Sequence, residues 1–265
     1  MTPQQLLDHY DSGHLWAQAA GSMAGLDVPG AYQRALAVRT LRIARDEVPR
    51  GFKIGFTNRT IWPRYQVFAP IWGTVWSSTL SFCEGQGSVS LAGLCQPRIE
   101  PETVFGMRAT PPANASVDDL FNAIDWVAPG FEIVQTHLPN WVFTAPDAVA
   151  DSALHGRLLV GHKVPMHEVA KSAGELQTLL AVAQATLFKS GEPVDHGLGA
   201  NVLDNPLQAL HYFLKDLRKC PGAPDLLPGD VVTTGTWTDA WPVQPGERWS
   251  ASFSAPLQAL TVDFV

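Results

Sequence analysis

The sequence predicts an α+β fold in which a helical N-terminal region precedes a mixed β-barrel or roll. Three observations predict it. Apolar residues recur at helical spacing over the first fifty positions. Gly, Pro and β-branched clusters then alternate from Phe52 to Phe105, in the manner of short strands in a curved sheet. The tail closes with period-two segments separated by Gly/Pro turns. Neither an internal repeat nor a low-complexity linker breaks the 265 residues, so the expected organisation is a helical region over 1–50 and one compact β-rich unit over 51–265.

In chain order, Leu6, Leu7 and Tyr10 share one face of a first helix. A Gly/Pro break from Gly21 to Gly30 separates it from a second helix over Ala31 to Arg45, which turns Leu36, Leu41 and Ala44 inward. Ser116-Val117-Asp118-Asp119 opens a helix like a capping box with Asp in place of Glu, and Leu120, Phe121, Ile124 and Val127 form its buried face. From Glu168 to Lys189 the pattern reads as a loop passing into a strand through Ala185-Thr186-Leu187-Phe188, ended by the turn Ser190-Gly191-Glu192. Asn205 before Pro206 starts a helix with Leu207, Leu210, Phe213 and Leu214 at core spacing. Val231 to Thr234, Trp249 to Phe253 and Leu260 to Phe264 read as strands.

Composition narrows the class of function. Only 16% of residues are charged against 46% hydrophobic, a low charge content that points to buried subunit interfaces and hence a homo-oligomer. A net charge of −7 without any Lys/Arg cluster argues against nucleic acid or an anionic membrane as partner. Three cysteines form no disulfide framework, the N-terminus shows no basic and apolar leader, and no apolar stretch is long enough to span a bilayer. A cytoplasmic setting is the expectation.

The chemistry concentrates in Arg98-Ile99-Glu100-Pro101-Glu102-Thr103-Val104-Phe105. Side chains alternate faces in a strand, so both Glu side chains point the same way, roughly 6.6 Å apart. Two carboxylates framed by Ile99, Val104 and Phe105 repel each other and lose hydration unless a cation lies between them. The alternative is an edge strand marked by Pro101 with both carboxylates in water, and spacing alone does not choose between them.

Four further segments keep company with this pair: Gly51-Phe52-Lys53-Ile54-Gly55-Phe56-Thr57-Asn58, Phe131-Glu132-Ile133-Val134, Ala150-Asp151-Ser152-Ala153 and Pro228-Gly229-Asp230-Val231-Val232-Thr233-Thr234-Gly235. In this order and spacing the chain resembles the 2-keto-4-pentenoate hydratase group of the fumarylacetoacetate hydrolase superfamily, which also contains 4-oxalocrotonate decarboxylases, from about Leu36 to Phe264. The resemblance implies the β-barrel or roll of that superfamily. It implies Glu100, Glu102 and Glu132 as ligands of Mg2+ or Mn2+, Lys53 as a catalytic residue, and Thr57, Trp72, Gly73, Asp151, Thr234 and Gly235 in substrate binding. The activity implied is addition of water to a 2-hydroxy-2,4-dienoate in aromatic catabolism, with a small 2-oxo or 2-hydroxy acid as substrate. Its rivals are decarboxylation of a 2-oxo-3-enoate and a catalytically weak keto-acid-binding paralogue. No HExxH, CxxC or paired His at ligand spacing offers a zinc site instead.

The chain departs from the family pattern in three places. Pro70-Ile71-Trp72-Gly73 stands where an acidic residue follows the proline, Asp151-Ser152-Ala153-Leu154-His155-Gly156 stands where the group reads Asp-Asn-Ala-Ser-Ser-Gly, and Gln258 replaces a glycine. Residue type alone leaves alternatives open at each position. Lys53 is also compatible with a surface lysine packing its stem, Glu132 with a solvated strand residue, Asp151 with a cap, and Thr57 and Thr234 with plain strand threonines. His137 and His155 belong to no motif, and Trp62, Trp72 and Trp76 fit either core or pocket wall.

Overall fold

A computed structural model describes residues 1–17, 21, 23 and 25–265. The chain begins with helices α1 (Pro3–Ser12) and α2 (Val28–Ala44), followed by strand β1 (Pro49–Gly55), a short helix α3 (Trp62–Tyr65), and strands β2 (Ile71–Trp76), β3 (Leu80–Phe82), β4 (Gln86–Val89) and β5 (Arg98–Met107). Helix α4 (Val117–Ala123) leads into β6 (Ile124–Val134). Next come α5 (Ala145–Ala150), β7 (His155–Val160), β8 (Val164–Pro165), α6 (Met166–Val169), α7 (Ala173–Val182), β9 (Gln184–Lys189) and β10 (Glu192–Leu198). The last elements are α8 (Pro206–Lys219), β11 (Val231–Thr236), β12 (Trp241–Pro242), β13 (Arg248–Phe253) and β14 (Leu260–Phe264). Part of the expected Gly/Pro break, Ser22 and Ala24, lies outside the described residues.

Among the described residues the strands form two sheets, one ordered β2-β1-β11-β5-β6-β7-β3 with β12 beside β5 and β8 beside β6, the other ordered β10-β9-β13-β14-β4. The expected mixed sheet is present and curled, with helices packed around it. Ile99, Phe131, Ile133 and Leu159 of the large sheet pack on Leu187, Trp249, Leu260 and Val262 of the small one. Helix α8 buries Leu207, Leu210, Phe213 and Leu214 with Phe52 and Phe105. Burying each such side chain contributes about 1.5–3 kcal/mol.

The inward face of the curl carries the site. Register places Lys53 opposite Thr233, Thr233 opposite Val104, Val104 opposite Ala128, and Glu100 opposite Glu132, which in turn faces Leu158. Paired residues share a face. Val75, Val104, Ala128, Leu158, Val160 and Val231 cluster and close one end of this face. Glu100 and Glu102 continue the same face of β5 beyond Val104.

Local chemistry explains the elements and where expectation and structure part. β5 is an interior strand, not an edge, with β11 and β12 on one side and β6 on the other. Pro101 fits there because the β11 pairing shifts register between Thr233 and Thr236, where no partner carbonyl needs a donor from it. The expected capping boxes hold at Ser116, whose hydroxyl accepts from the Asp119 N–H, and a side-chain cap holds at Asn205, which accepts from the Gln208 N–H. Helix α4 ends at Ala123, however, and Ile124 and Val127 are buried strand residues of β6. Helix α7 occupies much of the expected loop: Ser172 caps it and Leu176 and Leu180 anchor it. On α2, Ala44 is exposed and Leu36 and Leu41 only half-buried. The buried residue of its last turn is Arg42, whose guanidinium lies 4.5 Å from the Tyr10 ring centroid and 4.4 Å from that of Trp76 and pairs with Glu47. Among the described residues no helix is long and apolar enough to cross a membrane.

Candidate active site

Three carboxylates meet where β5 and β6 face each other. One oxygen from each of Glu100, Glu102 and Glu132 lies within 4.8 Å of the others. Glu102 and Glu132 are fully buried and Glu100 is half-buried. At that separation two carboxylates repel by about 3.5 kcal/mol or more at an effective dielectric of about 20.

The chain balances this charge only in part. The Lys53 ammonium, itself buried, lies 3.2 Å from Glu132 Oε2 and donates to the Ala153 carbonyl at 3.0 Å. Burial lowers the Lys53 pKa, but the attraction of Glu132, Glu100 and Glu102 outweighs it and the net direction is upward. Burial pushes the Glu100 carboxyl up to about 7 and, with the neighbouring carboxylates, raises Glu102 well above the usual range.

Each buried carboxylate has one oxygen fastened and the other without a hydrogen-bond partner. Glu102 Oε2 accepts from the Gly235 N–H at 2.7 Å and from the Thr233 hydroxyl, whereas Glu102 Oε1 is buried without a partner. Glu132 Oε1 accepts from the His155 ring at 2.9 Å, whereas Oε2 is buried without a hydrogen bond and faces Lys53. The orphaned Glu102 Oε1 costs about 1–3 kcal/mol, more when charged, and Glu132 Oε2 has the Lys53 ammonium alone to offset its burial. Two such oxygens aimed into an all-carboxylate cluster fit a hard divalent cation, which takes oxygen ligands.

The backbone around Glu102 admits one residue type at its cap. Gly235 has φ +107°, and a Cβ there would lie 1.9 Å from Thr57 Oγ1. Only glycine lets the N–H reach Glu102 while Thr57 stays beside it.

A cavity of 220 Å³ opens over the cluster, with Lys53, Thr57, Glu100, Glu102 and Gly235 in its wall. Ile71 and Leu154, which belong to two of the three departures from the family pattern, complete it on the apolar side with Phe56 and Phe143. Arg98 lines it too, its guanidinium 4.2 Å from the Trp141 ring centroid.

Other expected site residues lie elsewhere. Trp72 stacks on Tyr32 at 4.5 Å and lines a separate apolar groove. Gly73 is pressed against the Ser152 carbonyl, which a Cβ would approach to 2.4 Å. Thr234 donates to the Thr103 carbonyl at 2.9 Å. Asp151 accepts from the His137 backbone N–H at 2.8 Å and ring Nδ1 at 2.6 Å, and from the Thr136 hydroxyl at 3.2 Å, so its carboxylate is saturated away from the cavity.

Sequence reasoning missed Thr233, His155 and Thr79. Thr233 stood within a quoted motif, one residue before Thr234. The other two carry no local signal, because His155 reaches Glu132 only through the pairing of β6 with β7, where the register shifts beside Val134. Burial lowers the His155 pKa.

No family model matches the chain. It is 29% identical over 248 residues to 2-hydroxyhexa-2,4-dienoate hydratase of Comamonas testosteroni, covering 93% of this chain and 90% of that protein. It is 30% identical over 206 residues to 2-keto-4-pentenoate hydratase 1 of Dechloromonas aromatica, covering 76% of this chain and 73% of that protein. Among solved structures it is similar to 4-oxalocrotonate decarboxylase from Pseudomonas putida G7, which is complexed with magnesium and adipate. That similarity has a TM-score of 0.86 at 24% identity and covers 100% of this chain and 99% of the other.

Proposed function

The chain belongs to the 2-keto-4-pentenoate hydratase and 4-oxalocrotonate decarboxylase group of the fumarylacetoacetate hydrolase superfamily, and from that membership we propose a divalent-metal-dependent hydro-lyase that adds water to a 2-hydroxy-2,4-dienoate. The observation that carries the proposal is the cluster of Glu100, Glu102 and Glu132 with two buried oxygens lacking hydrogen-bond partners. These three residues would hold Mg2+ or Mn2+, which supplies electrophilic stabilisation of charge at the carboxylate and 2-oxygen of the substrate.

The chain's own residues do the rest. Lys53, a buried cation in the cavity wall, attracts the substrate carboxylate and offers Nζ–H to the developing enolate. Ile71, Leu154 and Phe56 present apolar surface to the diene and shield it from bulk water. Ketonisation moves the enol proton's equivalent to C5, and water then divides between C4, which takes the hydroxyl, and C3, which takes the proton. With Ile71 at the position where the family carries an acid, proton delivery falls to Lys53 Nζ. Mixed turnover tests the assignment. With Mg2+, 2-hydroxypenta-2,4-dienoate should lose its diene absorbance and yield 4-hydroxy-2-oxopentanoate, while a 4-oxalocrotonate-type diacid should release little CO2.

Decarboxylation of a 2-oxo-3-enoate is the second reading, favoured by Arg98, a further cation in the same cavity suited to a second substrate carboxylate. Rapid CO2 release from the diacid without hydration of the monoacid would transfer the assignment to it. Inertness toward both would leave a binding role. Assembly into a homo-oligomer belongs to the same proposal, supported by Phe68, 85% exposed beside the apolar groove, and a light-scattering mass of one chain would contradict it.

A further inference from the structure

His155 is buried, lies outside the cavity wall, and touches a carboxylate of the site with one ring nitrogen and a threonine with the other. Its Nδ1 lies 2.9 Å from Glu132 Oε1 and its Nε2 lies 2.8 Å from Thr79 Oγ1. Thr79 is fixed in turn, accepting from the Trp76 N–H at 3.1 Å, with the Trp76 carbonyl 3.2 Å from its hydroxyl.

This arrangement determines which nitrogen carries the proton. Facing a carboxylate oxygen of Glu132, Nδ1 donates, because two lone pairs at 2.9 Å would repel. Nε2 then accepts from the Thr79 hydroxyl, being the nearer of that hydroxyl's two acceptors. The ring is held at both ends. One oxygen of Glu132 is consequently spent on His155, and only Oε2 can face the cluster.

We infer that His155 is a positioning residue that restricts Glu132 to ligation through Oε2 alone and so favours small six-coordinate cations over larger ones. Glu102 is restricted in the same way by Thr233 and Gly235, which occupy its Oε2 and leave Oε1. Mg2+ demands a near-octahedral shell, whereas Ca2+ takes 6–8 oxygens and readily accepts both oxygens of one carboxylate. Two carboxylates each limited to one oxygen therefore suit the smaller ion. Partners of metal ligands in other proteins hold ligands in this way, with losses of about 10–100-fold in affinity when removed. The inference rests on the proposed metal centre.

Calorimetric titration of Mn2+ and Ca2+ into the metal-free protein separates the two. If the wild type binds neither ion, the metal centre itself fails and the inference with it. If it binds, His155→Leu should weaken Mn2+ about 10-fold or more and Ca2+ by less, because the released Oε1 becomes available to the larger ion. His155→Asn should stay within about 3-fold of wild type, since its amide nitrogen can take the place of Nδ1–H. A general packing defect would instead lower both affinities together without rescue by Asn. That result, or His155→Leu with unchanged Mn2+ affinity, overturns the inference and leaves the metal centre standing. Should the His155 variants fail to fold, Thr79→Val decides, because it removes the proton that fixes the tautomer. A loss of about 3-fold or more in Mn2+ affinity supports the inference, and no change refutes it.

Discussion

Replacing Glu102 by Gln tests the site most directly, because the side chain keeps its shape and loses its charge. Without metal, three ionised carboxylates would repel pairwise by about 3.5 kcal/mol or more at the 4.8 Å limit of their spacing. Glu102 responds by holding a proton far above the usual carboxylate range. Gln resembles that protonated form and still presents a carbonyl oxygen to the Thr233 hydroxyl and the Gly235 N–H. Metal-free Glu102→Gln should therefore melt within about 2 °C of wild type or above it. With metal the two diverge. At 100 times the dissociation constant a bound ion stabilises the native state by about 2.7 kcal/mol, which for a chain of this size raises Tm by roughly 5–11 °C. Losing a charged ligand should cost about 100-fold in affinity, leaving about 0.4 kcal/mol and a rise of roughly 1–2 °C at the same concentration. Differential scanning calorimetry with and without Mn2+ measures both quantities. An undiminished metal shift in the variant would refute the assignment of Glu102, and a collapse of the metal-free melt would show that its carboxylate serves the fold instead.

Three other perturbations probe the surroundings. Lys53→Met leaves buried carboxylates without their cation and should lower metal-free stability by about 3 kcal/mol in a denaturant melt and turnover by at least about 100-fold. Gly235→Ala forces a Cβ against Thr57 at a φ that disfavours side chains, and should destabilise by about 1–3 kcal/mol while weakening Mn2+ through the displaced Glu102 anchor. Glu100 titrates at about 7, so below that pH a metal must displace its proton and above it the carboxylate is already ionised. Mn2+ affinity should accordingly fall from pH 8 to pH 6, with proton release visible as a buffer-dependent heat.

The parts legible in the sequence were those written in neighbouring residues. The Glu100–Glu102 spacing, the caps at Ser116 and Asn205, and the alternating strands of the tail all follow from local period and capping chemistry. Glu132 was legible only through resemblance, since nothing within ten residues marks it. Helix α7 escaped because Leu179-Leu180-Ala181-Val182-Ala183 is parted from the strand residues Ala185 to Phe188 by Gln184 alone, too short a break to separate period 3.6 from period 2. Arg42 escaped because its burial depends on Tyr10 and Trp76, two rings from distant segments. Asp151 illustrates the converse. Its motif was recognised, but His137 lies inside hydrogen-bonding reach and saturates it.

The pairing of β1 with β11 has a consequence for biosynthesis. Thr233 and Gly235, which fasten Glu102, are made roughly a hundred residues after Glu132. At a ribosomal speed of about 5–20 residues per second, the carboxylates wait on the order of 5–20 s before β11 can slide between β1 and β5. During that interval β1 and β5 lack the strand that separates them, and their edges are open to pairing with other chains. Fastening of the cluster therefore follows synthesis of both strands that carry it, and a chain truncated before Val231 would hold its acids on two strands with no cap to fix them.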